Sequence, residues 1–380
     1  LQTGGARRLA TAASYRLKLA ASDAAAGDEF GRSMAIEGDT VVVGAWKADN
    51  SGGANSGSVY ILRASDGAPL AKLTADDAAA DDEFGCSVAI EGDTVVIGAF
   101  NAGTGGAVYV FRTTNGGASY SKIAKLTAAD AAASDKFGIS VAIDGGTIVV
   151  AAYNDGNDGN NWTGSGSVYV FRSSDGWSTY TEIKLTASDA AASDIFGWSM
   201  AFDGTTIVVG APHDDDGGSN SGSVYVFRTT DGGGSYNQVD KLTVADGHNF
   251  GTSVAIDGDT LVAGASYVHH GGMADAGAAY VFRTSDGGAS YDEVAQLTAA
   301  DADAKDYFGI EVAIDGSTIV VGAWKDDDGG SDSGSAYLFR TTDGGATYAQ
   351  MAKLTAPDAD AGDVFGYNVA IDGATVVVSA

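Results

Sequence analysis

The sequence predicts an all-β fold, a seven-bladed β-propeller of four-stranded antiparallel blades forming one domain over residues 1–380. Three observations carry this expectation. A Phe-Gly pair recurs at Phe30, Phe84, Phe137, Phe196, Phe250, Phe308 and Phe365, at intervals of 53 to 59 residues. Between pairs stand four short runs rich in β-branched and aromatic residues, separated by Gly- and Asp-rich turns. The runs also place apolar residues at consecutive positions, as in "VYVF" at 168–171, so both faces of each sheet need cover. Stacking the sheets around an axis supplies it.

The elements follow in the same order in every copy. After Phe-Gly comes an alternating run such as "CSVAI" at 86–90, then an acidic-Gly turn and "DTVVIGA", two strands for which a type I′ hairpin turn is expected. A Gly-rich, often acidic loop leads to "GSVYVFR", the third strand. A loop such as "TSDGGASY" at 284–291 then turns the chain into a short fourth strand of the form "AKLTA". Ala35, Ala89, Ala142, Ala201, Ala255, Ala313 and Ala370, on the first strands, suit a crowded inner rim.

The last copy is short, with 16 residues from Phe365 onward and 29 before Phe30. The segment 1–29 is expected to supply the outer strand of the last blade, because "YRLKLAASDAAAGDEFG" at 15–31 matches "AKLTAADAAASDKFG". The third strand has no good source: "GGARRLA" at 4–10 puts Arg7 and Arg8 where other copies carry Tyr and an apolar residue. The seventh blade is therefore expected to be shared between the chain ends, with its completion by the same chain, by a partner or not at all left open. Two readings stand. Leu1 is no initiator, so the chain is expected to be a piece of a longer product whose continuation carries the missing strand; alternatively, the edge takes a strand from a partner in self-assembly.

Fifty acidic and 21 basic residues give a net charge of −29, which repels nucleic acid and anionic membrane and favours a cation or basic surface as partner. No run approaches the 18 to 20 apolar residues of a membrane helix, so no membrane insertion is expected. The single cysteine, Cys86, excludes an internal disulfide framework, and a plain, partly buried thiol is expected there.

Phe-Gly followed about a dozen residues later by Gly-Ala, spelled out as Gly-Ala-Pro at Gly210, Ala211 and Pro212, resembles the FG-GAP repeat of the integrin α-subunit propeller and of microbial extracellular proteins. The resemblance spans nearly the whole chain. It implies an extracellular or cell-surface propeller used in adhesion or recognition, with a glycan or an extracellular protein as partner. In integrins, calcium sits in the hairpin between the first two strands. Here that hairpin ("IEGDT", "IDGGT", "FDGTT") is too short to wrap an ion, so those ligands do not transfer.

Candidate metal ligands lie instead in the loops between the second and third strands. They are Asp214, Asp215 and Asp216 in one copy, and Asp326, Asp327, Asp328 and Asp332 in another. The third copy offers Asn154, Asp155, Asn157 and Asp158. A second acidic loop repeats as Asp23/Asp28, Asp130/Asp135, Asp189/Asp194, Asp301/Asp306 and Asp358/Asp363. Calcium takes six to eight oxygens from such flexible loops. The competing reading is that these carboxylates cap turns.

The residue after each Phe-Gly varies while its neighbours repeat: Arg32, Cys86, Ile139, Trp198, Thr252, Ile310 and Tyr367. Arg32, Trp198 and Tyr367 are the ligand candidates, with the aromatics stacking on a sugar ring or, alternatively, filling space between blades. Asn161-Trp162-Thr163 fits a glycosylation sequon. His213, His269 and His270 read as solvated loop residues rather than a zinc site. Catalysis would concentrate departures from the repeat into one constellation, and none is marked, so a non-catalytic role is expected. A structural subunit of a fibre or wall is the alternative, and a polysaccharide-active enzyme ranks last.

Overall fold

The computed structural model describes residues 17–156, 162–246 and 248–380. Six four-stranded antiparallel sheets run in sequence order, each a complete blade, from Phe30–Leu73 at the start to Val312–Leu354 at the end. The seventh sheet has two strands, Val369–Asp372 and Thr375–Val378. The sequence "YRLKL" falls partly outside the described residues, and 17–20 carry no strand. Lys18 Nζ nevertheless lies 2.7 Å from Asp358 Oδ2, the pairing that outer-strand lysines make in other blades. Arg7 and Arg8 lie outside the described residues.

Among the described residues the ring closes with no third strand in the seventh blade. Each first strand ends in a carboxylate that accepts the N–H of the glycine opening the next blade's hairpin. Glu37 accepts from Gly92 (2.6 Å) and Glu91 from Gly145 (2.7 Å). Asp144, Asp203, Asp257 and Asp315 accept in turn from Gly204, Gly258, Gly316 and Gly373. Asp372 returns to the first blade, accepting from Gly38 at 2.6 Å. These charge-assisted bonds join every inner hairpin to its neighbour.

This geometry corrects the turn type. The acidic residue pairs as the last residue of the first strand (Glu37 with Thr40, Asp203 with Thr206), and the two turn residues are Gly and its successor. Positive φ occurs only at the first of them in most blades, as at Gly38 (φ 57°) and Gly204 (φ 58°), which is the type II′ pattern. Both turn residues have positive φ only at Gly145 and Gly146, where a second glycine permits type I′.

The Phe-Gly and Gly-Ala motifs meet across blades. A Cβ on Gly44 would stand 2.0 Å from the Gly85 carbonyl oxygen of the next blade, and Gly85 itself has φ +93°. Two backbones approach there, and only glycine fits. The phenylalanine beside it is the core plug. Phe84, Phe137, Phe196, Phe250 and Phe308 are fully buried. Each meets a third-strand tyrosine at 5.4 to 5.7 Å, as in the edge-on contact of Phe84 with Tyr109. Apolar clusters accordingly lie between successive sheets rather than within one.

Candidate functional site

The loops after the second strand and after the fourth strand share the upper face, where two constellations form. The outer one is a tyrosine, carboxylate and lysine network repeated blade by blade. In blade one, Tyr60 Oη donates to Asp23 (2.8 Å) and Lys72 pairs with the same carboxylate (2.6 Å). Blade two repeats this with Tyr109, Asp77 and Lys125. Blade three adds Asp155, so that Lys184 meets both Asp130 and Asp155.

Blades four and six add a third carboxylate. Lys241 Nζ lies 2.7 Å from Asp189, 3.0 Å from Asp214 and 2.6 Å from Asp216. Lys353 Nζ lies 2.9 Å from Asp301, 2.7 Å from Asp326 and 2.5 Å from Asp328. Among the described residues, these are the two triads whose carboxylate oxygens converge closely enough to hold a metal ion. An ammonium group occupies the centre of each. Burial alone would lower the lysine pKa values, but the three carboxylates outweigh it and raise both.

The remaining acidic candidates hold the loops. Asp215 accepts from the Asn220 N–H, Asp327 accepts from the Asp332 N–H, and Asp332 takes a left-handed φ of 54°. The second aspartate of each repeated pair caps a turn, as Asp28 does for Ala25, Asp135 for Ala132, Asp194 for Ala191, Asp306 for Asp303 and Asp363 for Asp360. Burial and the nearby Asp214 or Asp326 push Asp194 and Asp306 up to about 6.

The inner constellation rims the mouth of the channel, built from the residues flanking Phe-Gly and those following Gly-Ala. The residue before each Phe is left-handed in all seven copies, Glu29, Glu83, Lys136, Ile195, Asn249, Tyr307 and Val364, with φ of 52° to 66°. Such backbone is uncommon outside glycine, and it re-aims these side chains. Arg32 and Tyr367 come together: the Arg32 guanidinium stacks 5.1 Å from the Tyr367 ring and 5.2 Å from Trp46. Trp198 stands in a separate arc with Tyr153, Trp162 and, through Trp162, His213. Asn161 lies outside the described residues; its neighbour Trp162 is 47% exposed.

The spacing of these features decides the family. A repeat model described as "FG-GAP repeat" matches residues 15–62, 63–111, 120–171, 180–227, 236–282, 291–339 and 348–380. The chain belongs to the FG-GAP repeat family. No curated protein matches the sequence. Among solved structures, the computationally designed Ika8 protein superposes with a TM-score of 0.52 at 15% identity, covering 93% of this chain and 94% of that one. Sqt1 of Saccharomyces cerevisiae gives 0.49 at 12% identity, over 91% of this chain and 79% of that one. BamB of Moraxella catarrhalis gives 0.46 at 12%, over 93% and 80%. At such identity the Ika8 likeness shows the fold alone.

Several mouth residues of this FG-GAP propeller escaped the sequence reading. Trp46, Tyr267, Tyr307 and Trp324 join the rim, with Tyr307 contacting both Tyr267 (5.1 Å) and Trp324 (5.8 Å). The signal was present in "GAWK", which occurs at both 44–47 and 322–325. Glu311 was also missed. It stands where the other copies have Ser33, Ser87, Ser140, Ser199, Ser253 and Asn368, and burial pushes its carboxyl up to about 8. Cys86 is buried and its thiol is pushed up to about 12 by that burial, which makes it a poor nucleophile.

Proposed function

We propose that this FG-GAP propeller is a non-catalytic recognition module, working outside the cell or at its surface, that binds a glycan through the aromatic arcs of its upper mouth. One observation carries the reading: the blade bodies repeat nearly unchanged, while the left-handed and mouth positions vary and gather exposed or half-buried aromatic rings. Tyr267 is 43% exposed, and Arg32, Trp198 and Tyr367 are half-buried. Aromatic faces beside hydrogen-bonding groups suit a pyranose ring. Calcium enters as a competitor, since an ion at either triad displaces Lys241 or Lys353. The test is a glycan array in calcium and in chelator, with Trp198→Ala and Tyr367→Ala alongside. Binding lost in both variants, whose melting stays near wild type, supports the reading; no binding to any neutral or acidic glycan sinks it.

A second reading, a structural subunit, is favoured by the second strand of the seventh blade. Val376, Val377 and Val378 are half-buried there, and no third strand pairs with them among the described residues. Such an edge accepts a strand. Light scattering decides this one: a concentration-dependent assembly supports it, and a monomer at all concentrations overturns it.

A further inference from the structure

Blades one and six carry the same Trp-Lys dipeptide at the mouth in different company. In blade one, Trp46 Nε1 and Lys47 Nζ converge on one carboxylate, Glu29, at 2.6 and 2.5 Å. In blade six the counterparts are Trp324 and Lys325, and the position of Glu29 is taken by Tyr307. Trp324 Nε1 is enclosed with no hydrogen-bond partner. Lys325 Nζ lies 4.7 Å from the Trp324 ring and 5.6 Å from that of Tyr307, with no carboxylate in pairing distance among the described residues. An enclosed donor with no acceptor is costly, so its place in a repeated motif calls for a partner.

A second unpaired cation stands next to it. Trp324 meets Tyr367 edge-on at 5.6 Å, and Tyr367 carries the Arg32 guanidinium. Arg32 Cζ lies over the rings of Trp46 and Tyr367, 5.2 and 5.1 Å from their centroids, and a guanidinium so placed keeps N–H groups for an acceptor. Among the described residues it forms no ion pair. In a chain of 50 acidic and 21 basic residues, two unpaired cations on one arc are a local inversion of charge. Nearby Glu29 is already engaged by Lys47, and burial pushes the Glu311 carboxyl up.

We infer that the arc from Trp324 and Lys325 through Tyr367 to Arg32 binds the carboxylates of a uronate-bearing glycan, one ligand carboxylate taking the part that Glu29 plays in blade one. The rings of Tyr367 and Tyr267 offer apolar faces to the sugar, and a second carboxylate along the chain reaches Arg32. Entry shifts the Lys325 side chain, because Trp324 Nε1 is covered. This rests on the glycan reading above and assigns its ligand class.

The experiment is calorimetric titration with oligogalacturonate and with its carboxyl-reduced counterpart. Wild type is expected to bind the acidic oligomer at least about tenfold more tightly. Lys325→Gln and Arg32→Gln should each remove about tenfold of that preference, read within each variant as the ratio of its affinities for the two oligomers. Tyr307→Glu recreates the blade-one arrangement within the protein and should abolish uronate binding; Glu29 already tolerates the same left-handed backbone, with φ of 52° against 54° at Tyr307. Should that variant melt early, the Lys325 and Arg32 variants carry the test alone. Equal binding of both oligomers, an uronate preference untouched by these variants, or equal binding of an oligo-aspartate overturns the inference. Neutral binding lost in Trp198→Ala would at the same time leave the broader glycan reading standing, whereas no glycan binding of any kind would remove both.

Discussion

Blades four and five are neighbours that solve one packing problem in opposite ways. Beside its third-strand tyrosine, blade four encloses Lys241 with Asp189, Asp214 and Asp216. Blade five replaces the lysine with Gln296, which donates to Tyr280 Oη at 3.0 Å, and replaces Asp214 with Val268, which is 1% exposed. Its preceding loop is shorter, running from Asp246 to Phe250 with no turn-capping aspartate. In blade five the lysine and the buried aspartate are absent together. The lesson is that the acidic loops belong with the fourth-strand lysine, because a buried carboxylate is tolerable only when paired.

The largest effect should come from breaking that pairing on one side. Lys241→Met leaves Asp214, whose side chain is only 3% exposed, without its cation. A loss of about 2–3 kcal/mol and a fall in Tm of about 3–6 °C are expected in thermal unfolding. Copying the whole blade-five arrangement, Lys241→Gln with Asp214→Val, should return to within about 1 kcal/mol of wild type. If the double variant is as unstable as the sum of the singles, the two residues are independent and the comparison fails.

A pH series sharpens the same contrast. Asp194 and Asp306 are raised to about 6 in the folded state, against 3.8 for the free group, so the folded chain binds more protons between those values. Their contribution is therefore present at low pH and lost as pH rises through about 6. Asp23, held down by Lys72 and Tyr60, and Asp189, which Lys241 and Tyr225 hold down against burial, act oppositely. Their contribution is lost as pH falls through the acid range. Tm should peak near about pH 5, and Asp194→Asn with Asp306→Asn should flatten the limb above it. An unchanged limb would show that these carboxyls titrate normally.

Calcium should matter less. With Lys241 and Lys353 in place, millimolar calcium should move Tm by under about 1 °C, while the Lys241→Ala, Lys353→Ala double variant should gain several times that. Equal shifts in both proteins would place the ion elsewhere. Smallest of all is Gln296→Lys in blade five, where no buried carboxylate waits; a change within about 0.5 kcal/mol in denaturant unfolding is expected.

Much of this was legible beforehand in particular residues. The Phe-Gly and Gly-Ala spacing identified strands and blade count, and the aspartates two places before Phe cap turns, one of the two readings their sequence allowed. Arg32 and Tyr367 were singled out because their position varies, and they do meet. The lysine in each triad was not foreseen, since Lys241 lies 27 residues from Asp214 along the chain and nothing local links them. Trp324 was missed for a similar reason: its peculiarity is the absent counterpart of Glu29, visible only after blades one and six are superposed.

By itself, the sequence determined the four-stranded unit and its sevenfold repetition, because hairpin turns, period-two runs and crowded glycines act over a few residues. Which carboxylate faces which cation, and that the ring closes at seven, were decided by tertiary packing. Asp372 finds the Gly38 N–H across 334 residues of chain, a contact that exists only once every blade has turned its neighbour through the same angle.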